Sequence, residues 1–317
     1  MSGELLIGVD GGNTKTVALA ARPDGSIAGR GRAGCADIHN ASSVEVALDA
    51  IAAACQDALF EAGAAAADVQ AACFNLAGAD WPEDFELLGR AIPELVGLRC
   101  EPLVVNDAIA PIRAGTVDGA GVSVVCGTFG TTAARNPEGR TYHVGFWPDM
   151  TGGRGLGRDG LAAVWRSGLG LGPETALTAR ALTEYAVDSP IELLHVFTRR
   201  QGLAEREKER FAPAVLDEAA AGDAIAAGIV AGHGRVLAGQ ARSCAAAVEL
   251  AEPFPVVLTG GVFQHPSAVL ADAIMAGIPG GRPVRVPHAP VIGALLLAFD
   301  RAGVEPDLDR IVAGAGA

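Results

Sequence analysis

The chain opens on an apolar run at residues 5–9, a polar interval, and a second apolar run over Thr16–Ala21. A Pro23-Asp24-Gly25 turn then leads to a third stretch over 26–32. Short apolar runs bounded by Gly, Pro, Asn and Asp read as strands, so this beginning predicts an antiparallel meander. Ser42-x-x-Glu45 spells a capping box ahead of a long helix ending near Ala62. Apolar patterning places a strand at Val69–Leu76, a short helix at 83–92, a strand at 103–105 and a helix from Ala108. The predicted order is β-β-β-α-β-α-β-α.

The same opening then recurs. Residues 121–126 form an apolar strand, Gly127 to Thr132 a Gly/Thr turn, 132–135 a strand, Pro137-Glu138-Gly139 a turn, and 142–144 another strand. Two halves that begin alike predict two related domains, residues 1–118 and 119–317. Beyond Gly155 the pattern is mostly helical. It returns to strands at 256–258 and 284–286 and closes with a helix over about 291–302, expected to join the first domain.

Composition narrows the function classes. The 317 residues are half hydrophobic, so a substantial core is available, and only 5% aromatic. A net charge of -13, with no basic patch, disfavours nucleic-acid binding, which needs clustered Lys and Arg. No apolar stretch is long enough to span a membrane, and no signal peptide is evident at the N-terminus. Six cysteines without a CxxC pair read as free thiols in a reducing cytoplasm. The six histidines are scattered without metal-ligand spacing; His39 alone stands in a loop of interest. The run 205–210, EREKER, reads as a solvated helix face.

Four stretches carry candidate chemistry. In VDGGNTKT (9–16), Gly11 and Gly12 permit close backbone approach, Asn13, Thr14 and Thr16 offer donors to phosphate oxygens, and Lys15 is counted with them as a nucleotide-binding residue. Asp10 suits a hydrated Mg²⁺. The second turn repeats this chemistry without the acid, through Gly127, Thr128, Gly130 and Thr131. Neither turn is a Walker A loop, and either alone would read as a plain hairpin. Third, VVLTGGVF (256–263) runs an apolar strand into Gly260-Gly261, a plausible seat for a flat base. Fourth, LVVNDA (103–108) ends a buried strand with Asn106 and Asp107, at the strand edge where ligands of α/β sheets bind. On the residues alone, Asp107 serves equally as a general base or a helix N-cap.

These features resemble the actin-like ATPase superfamily and, more narrowly, the BadF/BadG/BcrA/BcrD ATPase family, which includes N-acetylglucosamine kinases. The carrying residues are GVDGGNTKT (8–16), AGCADIHN (33–40), NLAGAD (75–80), VVNDA (104–108), CGTFGTTA (126–133), LTGGVF (258–263) and IGALLLA (292–298). The resemblance implies an α/β fold of two ribonuclease-H-like domains around a central nucleotide cleft, binding ATP and Mg²⁺. Asp10 would organise the metal, Thr14 would face the phosphates, Asp107 would be the base, and Gly260 and Gly261 would line the adenosine pocket. The segment Ala33 to Asn40 and the strand end Asn75 to Asp80 would contribute to the sugar pocket, and Asp37, His39, Asn40, Gly78, Asn106, Asp107 and Asp149 would meet the sugar. The expected activity is ATP-dependent phosphorylation of an amino sugar such as N-acetylglucosamine or glucosamine, at the 6-hydroxyl. The expected partners are that small molecule and a second copy in a homodimer, with no nucleic acid and no membrane.

Three departures from the family pattern are expected to matter. Phe129 stands in the second turn, Met150 stands where an acid is usual, and Asp37 replaces a usual Asn and would favour an amine-bearing sugar. A catalytically weak sugar or nucleotide sensor is the alternative reading, against which the retained Asp10 and Asp107 argue. A dehydratase-activator role would need two cysteines after the second turn, and only Cys244 follows it.

Overall fold

The computed structural model describes residues 4–145, 150–286 and 288–316. Its elements are β1 (Leu5–Gly11), β2 (Thr16–Ala21), β3 (Ile27–Ala33), α1 (Val44–Ala62), β4 (Val69–Leu76), α2 (Pro82–Val96), β5 (Leu103–Asn106) and α3 (Ala110–Gly115). The second series is β6 (Gly121–Cys126), β7 (Gly130–Arg135), β8 (Thr141–Val144), α4 (Gly152–Gly168), α5 (Leu177–Tyr185), α6 (Pro190–Thr198), α7 (Ala212–Ala221), α8 (Ala224–Ala247), β9 (Phe254–Thr259), α9 (Val269–Met275), β10 (Gly281–Arg285), α10 (Pro290–Ala302) and α11 (Leu308–Ala315).

These strands form two five-stranded sheets, ordered β3-β2-β1-β4-β5 and β10-β9-β6-β7-β8. Written from opposite ends the orders correspond term by term, β1 to β6, β4 to β9 and β5 to β10. In the first sheet β1 pairs antiparallel with β2 and parallel with β4, and β4 runs parallel to β5. In the second, β6 runs parallel to β9. The shared order accounts for the repeated sequence pattern: each half lays down three strands in sequence, then returns to the central strand for a parallel partner.

The chain divides into two compact units. The first comprises Met1–Gly121, Ala134–His143 and Arg285–Ala317; the second comprises Val122–Ala133 and Val144–Val284. In the first unit, β1 and β4 are predominantly apolar, largely buried strands flanked by helices, as expected for parallel strands covered on both faces. Leu5, Ile7, Val9, Phe74 and Leu76 build this core with Ile51, Leu88 and Ile92. The helix α10 packs so tightly on β1 that a Cβ at Gly8 would strike the backbone of Leu295.

Local details differ from the sequence pattern in several places; the last strand, for one, runs over Gly281–Arg285 and not 284–286. The cap of α1 is Ser43, whose hydroxyl accepts from Val46 N at 3.3 Å, one residue beyond the Ser42 box. Helix α2 continues through Pro93 to a left-handed Gly97, because a proline in the last turn removes a single N–H bond. Helix α11 has only Ile311 buried, too little apolar signal to announce itself. Finally, 205–210 is only in part a solvated face: Glu205, Arg206 and Arg210 are exposed, while Glu207, Lys208 and Glu209 are half-buried. It belongs to a 3-10 helix, Glu205–Phe211, which ends in the fully buried Phe211. Its backbone rests on glycines of α4: a Cβ at Gly157 would collide with the Lys208 carbonyl, and one at Gly153 would meet Glu209.

Candidate active site

The first turn closes between β1 and β2, with Gly12 N donating to Lys15 O at 3.0 Å. Its glycines serve close approach. A Cβ at Gly11 would lie 2.8 Å from that of Ala36, and the carbonyls of Gly11 and Gly12 accept from Ala77 N and Ala36 N. The turn is thereby fastened to the end of β4 and to the loop at 34–41. Asn13, Thr14 and Lys15 keep their side chains in solvent, but Thr16 does not serve as a phosphate donor: it is fully buried and its hydroxyl donates to Gly34 O at 2.8 Å.

Behind the turn, Asn75 acts as a clasp. Fully buried at the end of β4, it donates from Nδ2 to Asp10 Oδ1 at 2.8 Å and to the Asp107 carbonyl at 3.0 Å. Its Oδ1 accepts from Ala110 N at 3.0 Å. One amide thus joins the ends of β1, β4 and β5 to the start of α3. Helix α3 begins at Ala110 without a side-chain cap, so Asp107 does not cap it. The turn before it is held by Asn106, whose Oδ1 accepts from Ala108 N and whose Nδ2 donates to Ala79 O and Asp80 Oδ1. The choice between base and cap left open by the residues therefore goes against the cap.

The electrostatics of this cluster are unusual. Burial, then the charges of Asp10, Asp80 and Asp37, push Asp107 up to about 7, with the Ala108 amide opposing. Burial pushes Asp10 up to about 6 against the Asn75 bond and Lys15. Asp80 rises to about 7 through burial and the charge of Asp37, countered by His39. Carboxylates that hold protons near neutrality are suited to proton transfer, and they concentrate at functional sites. They also suit a hard divalent cation, which oxygen ligands hold and which would lower every one of these values. The donor set at Asp10 and Asp107 therefore fits Mg²⁺.

The loop at 34–41 is stapled from within. Asp37, buried, accepts from His39 N at 2.8 Å and from Asn40 Nδ2 at 2.7 Å, so both its oxygens bond inside the loop. A Cβ at Gly78 would press on Ile38 N, which makes that glycine a contact between β4 and the loop. His39 Nε2 meets Asp84 Oδ2 at 3.0 Å. The same oxygen accepts from Trp81 N at 2.8 Å and Asp80 N at 3.3 Å at the start of α2. Burial lowers the affinity of His39 for a proton, but the Asp84 bond and the Asp37 and Asp80 charges outweigh it and hold the imidazole above its ordinary range. His143, lowered by burial, meets the Asp80 carbonyl at 3.0 Å. The structure thus brings Asp10, Asp37, His39, Asn40, Gly78, Asn106 and Asp107 into one neighbourhood with Asn75 and Asp80 of the expected strand end, and adds Asp84. Asp149 lies outside the described residues.

The second unit carries the second turn and the strand end. Gly127 N donates to Phe129 O at 3.0 Å, and the carbonyls of Gly127 and Thr128 accept from Gly153 N and Arg154 N at the start of α4. Thr128 donates its hydroxyl to Glu209 Oε1 at 3.0 Å. Thr131 lies on β7, half-buried. Phe129 turns its ring to Arg154, whose guanidinium carbon sits 4.6 Å from the ring centroid. At the strand end, Gly260 adopts φ +103 and a Cβ there would lie 2.6 Å from the Cys126 carbonyl, so only glycine fits. Gly261 has open space where its Cβ would be. Glu209 and Arg154 escaped the sequence reading, the first because its charged run looked solvated. The one usable signal was the Gly153, Gly157, Gly160 spacing, a helix face bare enough to accept another backbone.

The two sheets share one strand order, each with a glycine turn at the end of its central strand, and the chain has an α/β fold. The chain belongs to the BadF/BadG/BcrA/BcrD ATPase family, whose sequence profile matches residues 7–298. It is 26% identical to an N-acetyl-D-glucosamine kinase of Dictyostelium discoideum over 316 residues, covering 95% of this chain and 99% of that one. It is 28% identical to an N-acetylmuramic acid/N-acetylglucosamine kinase of Clostridium acetobutylicum over 206 residues, 64% of this chain and 66% of the relative. Its fold is similar to that of a Chromobacterium violaceum protein provisionally described as an N-acetylglucosamine kinase, with TM-score 0.68 and 24% identity, covering 94% of this chain and all of the other. Among the described residues no helix is long and apolar enough to cross a membrane.

Proposed function

We propose that this protein is an ATP-dependent kinase that transfers the terminal phosphoryl group of ATP to a hydroxyl of an amino sugar, the 6-hydroxyl of N-acetylglucosamine or glucosamine. The observation that carries the reading is Asp107, an uncapping carboxylate at the end of β5 held near neutrality by burial and by Asp10. The relatives named above, kinases of N-acetylated amino sugars, support the acceptor class.

In this reading Asp107 accepts the proton of the sugar hydroxyl as its oxygen bonds to the phosphorus and the bond to the departing ADP oxygen breaks. Asp10 would hold Mg²⁺, which supplies charge neutralisation to the phosphates. The exposed donors of Asn13, Thr14 and Lys15 bind phosphate oxygens, and Gly260 and Gly261 seat the adenosine. The loop stapled by Asp37, with His39 and Asn40, positions the sugar beside Asp107. Two ribonuclease-H-like domains, meeting near residue 118, and a cytoplasmic homodimer complete the reading.

The test is ADP release from Mg·ATP with N-acetylglucosamine, glucosamine, N-acetylmannosamine, glucose or no sugar, beside Asp107→Ala. Turnover that requires one of the amino sugars and vanishes in the variant is expected. ADP release indifferent to every sugar, with ATP still bound, would leave the sensor reading in its place. The packing of Phe129 against Arg154, instead of across the turn, speaks against a blocked nucleotide site.

A further inference from the structure

The second turn commits several of its donors internally. One of its hydroxyls, Thr128 Oγ1, is engaged by a carboxylate, Glu209. Its Gly127 amide is engaged by the Phe129 carbonyl, and the first amides of α4 are engaged by the turn's own carbonyls. A turn with an acid on one of its hydroxyls binds a triphosphate better when a cation stands beside it.

Arg154 stands there. Its backbone amide donates to Thr128 O at 3.1 Å, and its guanidinium lies over the ring of Phe129. Both ends of the residue are therefore fixed to the same turn. Among the described residues no carboxylate lies within ion-pair distance of it, whereas Arg158, four residues on, pairs with Asp159 at 2.8 Å. Its Nε is withdrawn from solvent and has no hydrogen-bond partner. A buried, unpartnered donor on a cation carries a desolvation cost that an arriving acceptor relieves. A guanidinium held flat on an aromatic face loses little freedom on binding, and its fork matches an oxyanion.

We propose that Arg154, carried on the Phe129 ring, is the cation that grips the terminal phosphoryl group of the nucleotide at the second turn. This rests on the kinase reading above. The recognised chemistry is an oxyanion, and an acidic substituent on the acceptor sugar is the other source such a residue could meet. Phe129, which departs from the family pattern, becomes the platform of Arg154 and a positioning residue.

The test compares ATP and ADP binding by calorimetry in the full chain, with Arg154→Gln, Arg154→Lys and Phe129→Leu, beside steady-state rates. Arg154→Gln is expected to weaken ATP about ten-fold or more while leaving ADP within about three-fold, because the charged hydrogen bonds reach only the terminal phosphate. Where sugar-dependent turnover is measured, kcat falls about 10²-fold, the scale of one lost transition-state donor. Arg154→Lys recovers part of the ATP preference, and Phe129→Leu loses part of it. Equal loss of ATP and ADP would mark Arg154 as structural and overturn the proposal. So would unchanged ATP affinity with a raised KM for an acidic sugar only, which would assign the residue to the acceptor. The ATP-to-ADP ratio is read without any sugar. A failed acceptor assay therefore counts against the kinase reading and leaves this result standing.

Discussion

At the first turn, between β1 and β2, three polar side chains reach solvent and two carboxylates, Asp10 and Asp107, stand close by with raised proton affinity. At the second, between β6 and β7, the hydroxyl is tied to Glu209 and an aromatic ring carries an arginine. The strands around both follow the same order. One backbone plan has thus been given opposite electrostatics. The first turn gathers negative charge, which a metal ion can neutralise and a proton can titrate. The second gathers a cation that no described carboxylate neutralises.

The sharpest way to break this contrast is to remove the acid at the first turn. Asp107→Asn keeps the shape and removes the base, and sugar-dependent ADP release should fall by about 10³-fold, within the range for a lost general base. Thr128→Ala at the second turn should cost only a few-fold, since its hydroxyl already serves Glu209. Steady-state rates of both variants check this; losses of equal size would erase the asymmetry.

Next in size is Asn75→Ala. It strips three hydrogen bonds from a fully buried position and orphans Ala110 N. Leaving buried polar groups unpaired should lower stability by about 2–3 kcal/mol, read as a lower midpoint in denaturant. Activity should fall with it, because the same amide aligns Asp10 with Asp107.

A smaller pair separates packing from ligand contact in the second unit. Gly260→Ala forces a Cβ to 2.6 Å from the Cys126 backbone at φ +103, and should cost about 1–3 kcal/mol. Gly261→Ala meets nothing within 4 Å, so thermal stability should hold while ATP affinity drops. Loss of stability in the second variant would mean that the open space at Gly261 is not a ligand seat.

How much of this was legible before the structure follows from range. The strands at 16–21, 69–76 and 121–126 were readable to the residue because apolar runs and turn residues are local. So was the recurrence of the meander. The turn glycines and Asp107 announced themselves by composition at a strand end. Asn75 did not, since its partners lie 65 and 32–35 residues away. Glu209 reaches Thr128 across 81 residues, from a run whose charges suggest solvent. Asp37 was legible as a carboxylate in the loop, but not as one whose two oxygens bond within it.

The smallest expected effect is a pH dependence of stability that belongs to the first turn alone. Asp107 has its affinity for protons raised from 3.8 to about 7 on folding, chiefly by burial. A group so shifted binds its proton more tightly in the folded chain. Its contribution is complete below pH 3.8 and is lost as pH rises through about 7. Asp10 and Asp80 act in the same direction. Without ligand, the midpoint of thermal unfolding should therefore fall between pH 5.5 and 8.0. Asp107→Asn, which cannot ionise, should shrink that fall by about 1 kcal/mol, a modest share because Asp107 is only half-buried and solvent screens it. Mg²⁺ should oppose the fall in the wild type, since a cation replaces the proton between the carboxylates, and should do less in the variant. Arg154→Gln should leave the slope unchanged, because the carboxylates raised into this pH range, Asp10, Asp80 and Asp107, all belong to the neighbourhood of the first turn. A slope that moved with Arg154 and not with Asp107 would reverse the assignment of charge to the two turns.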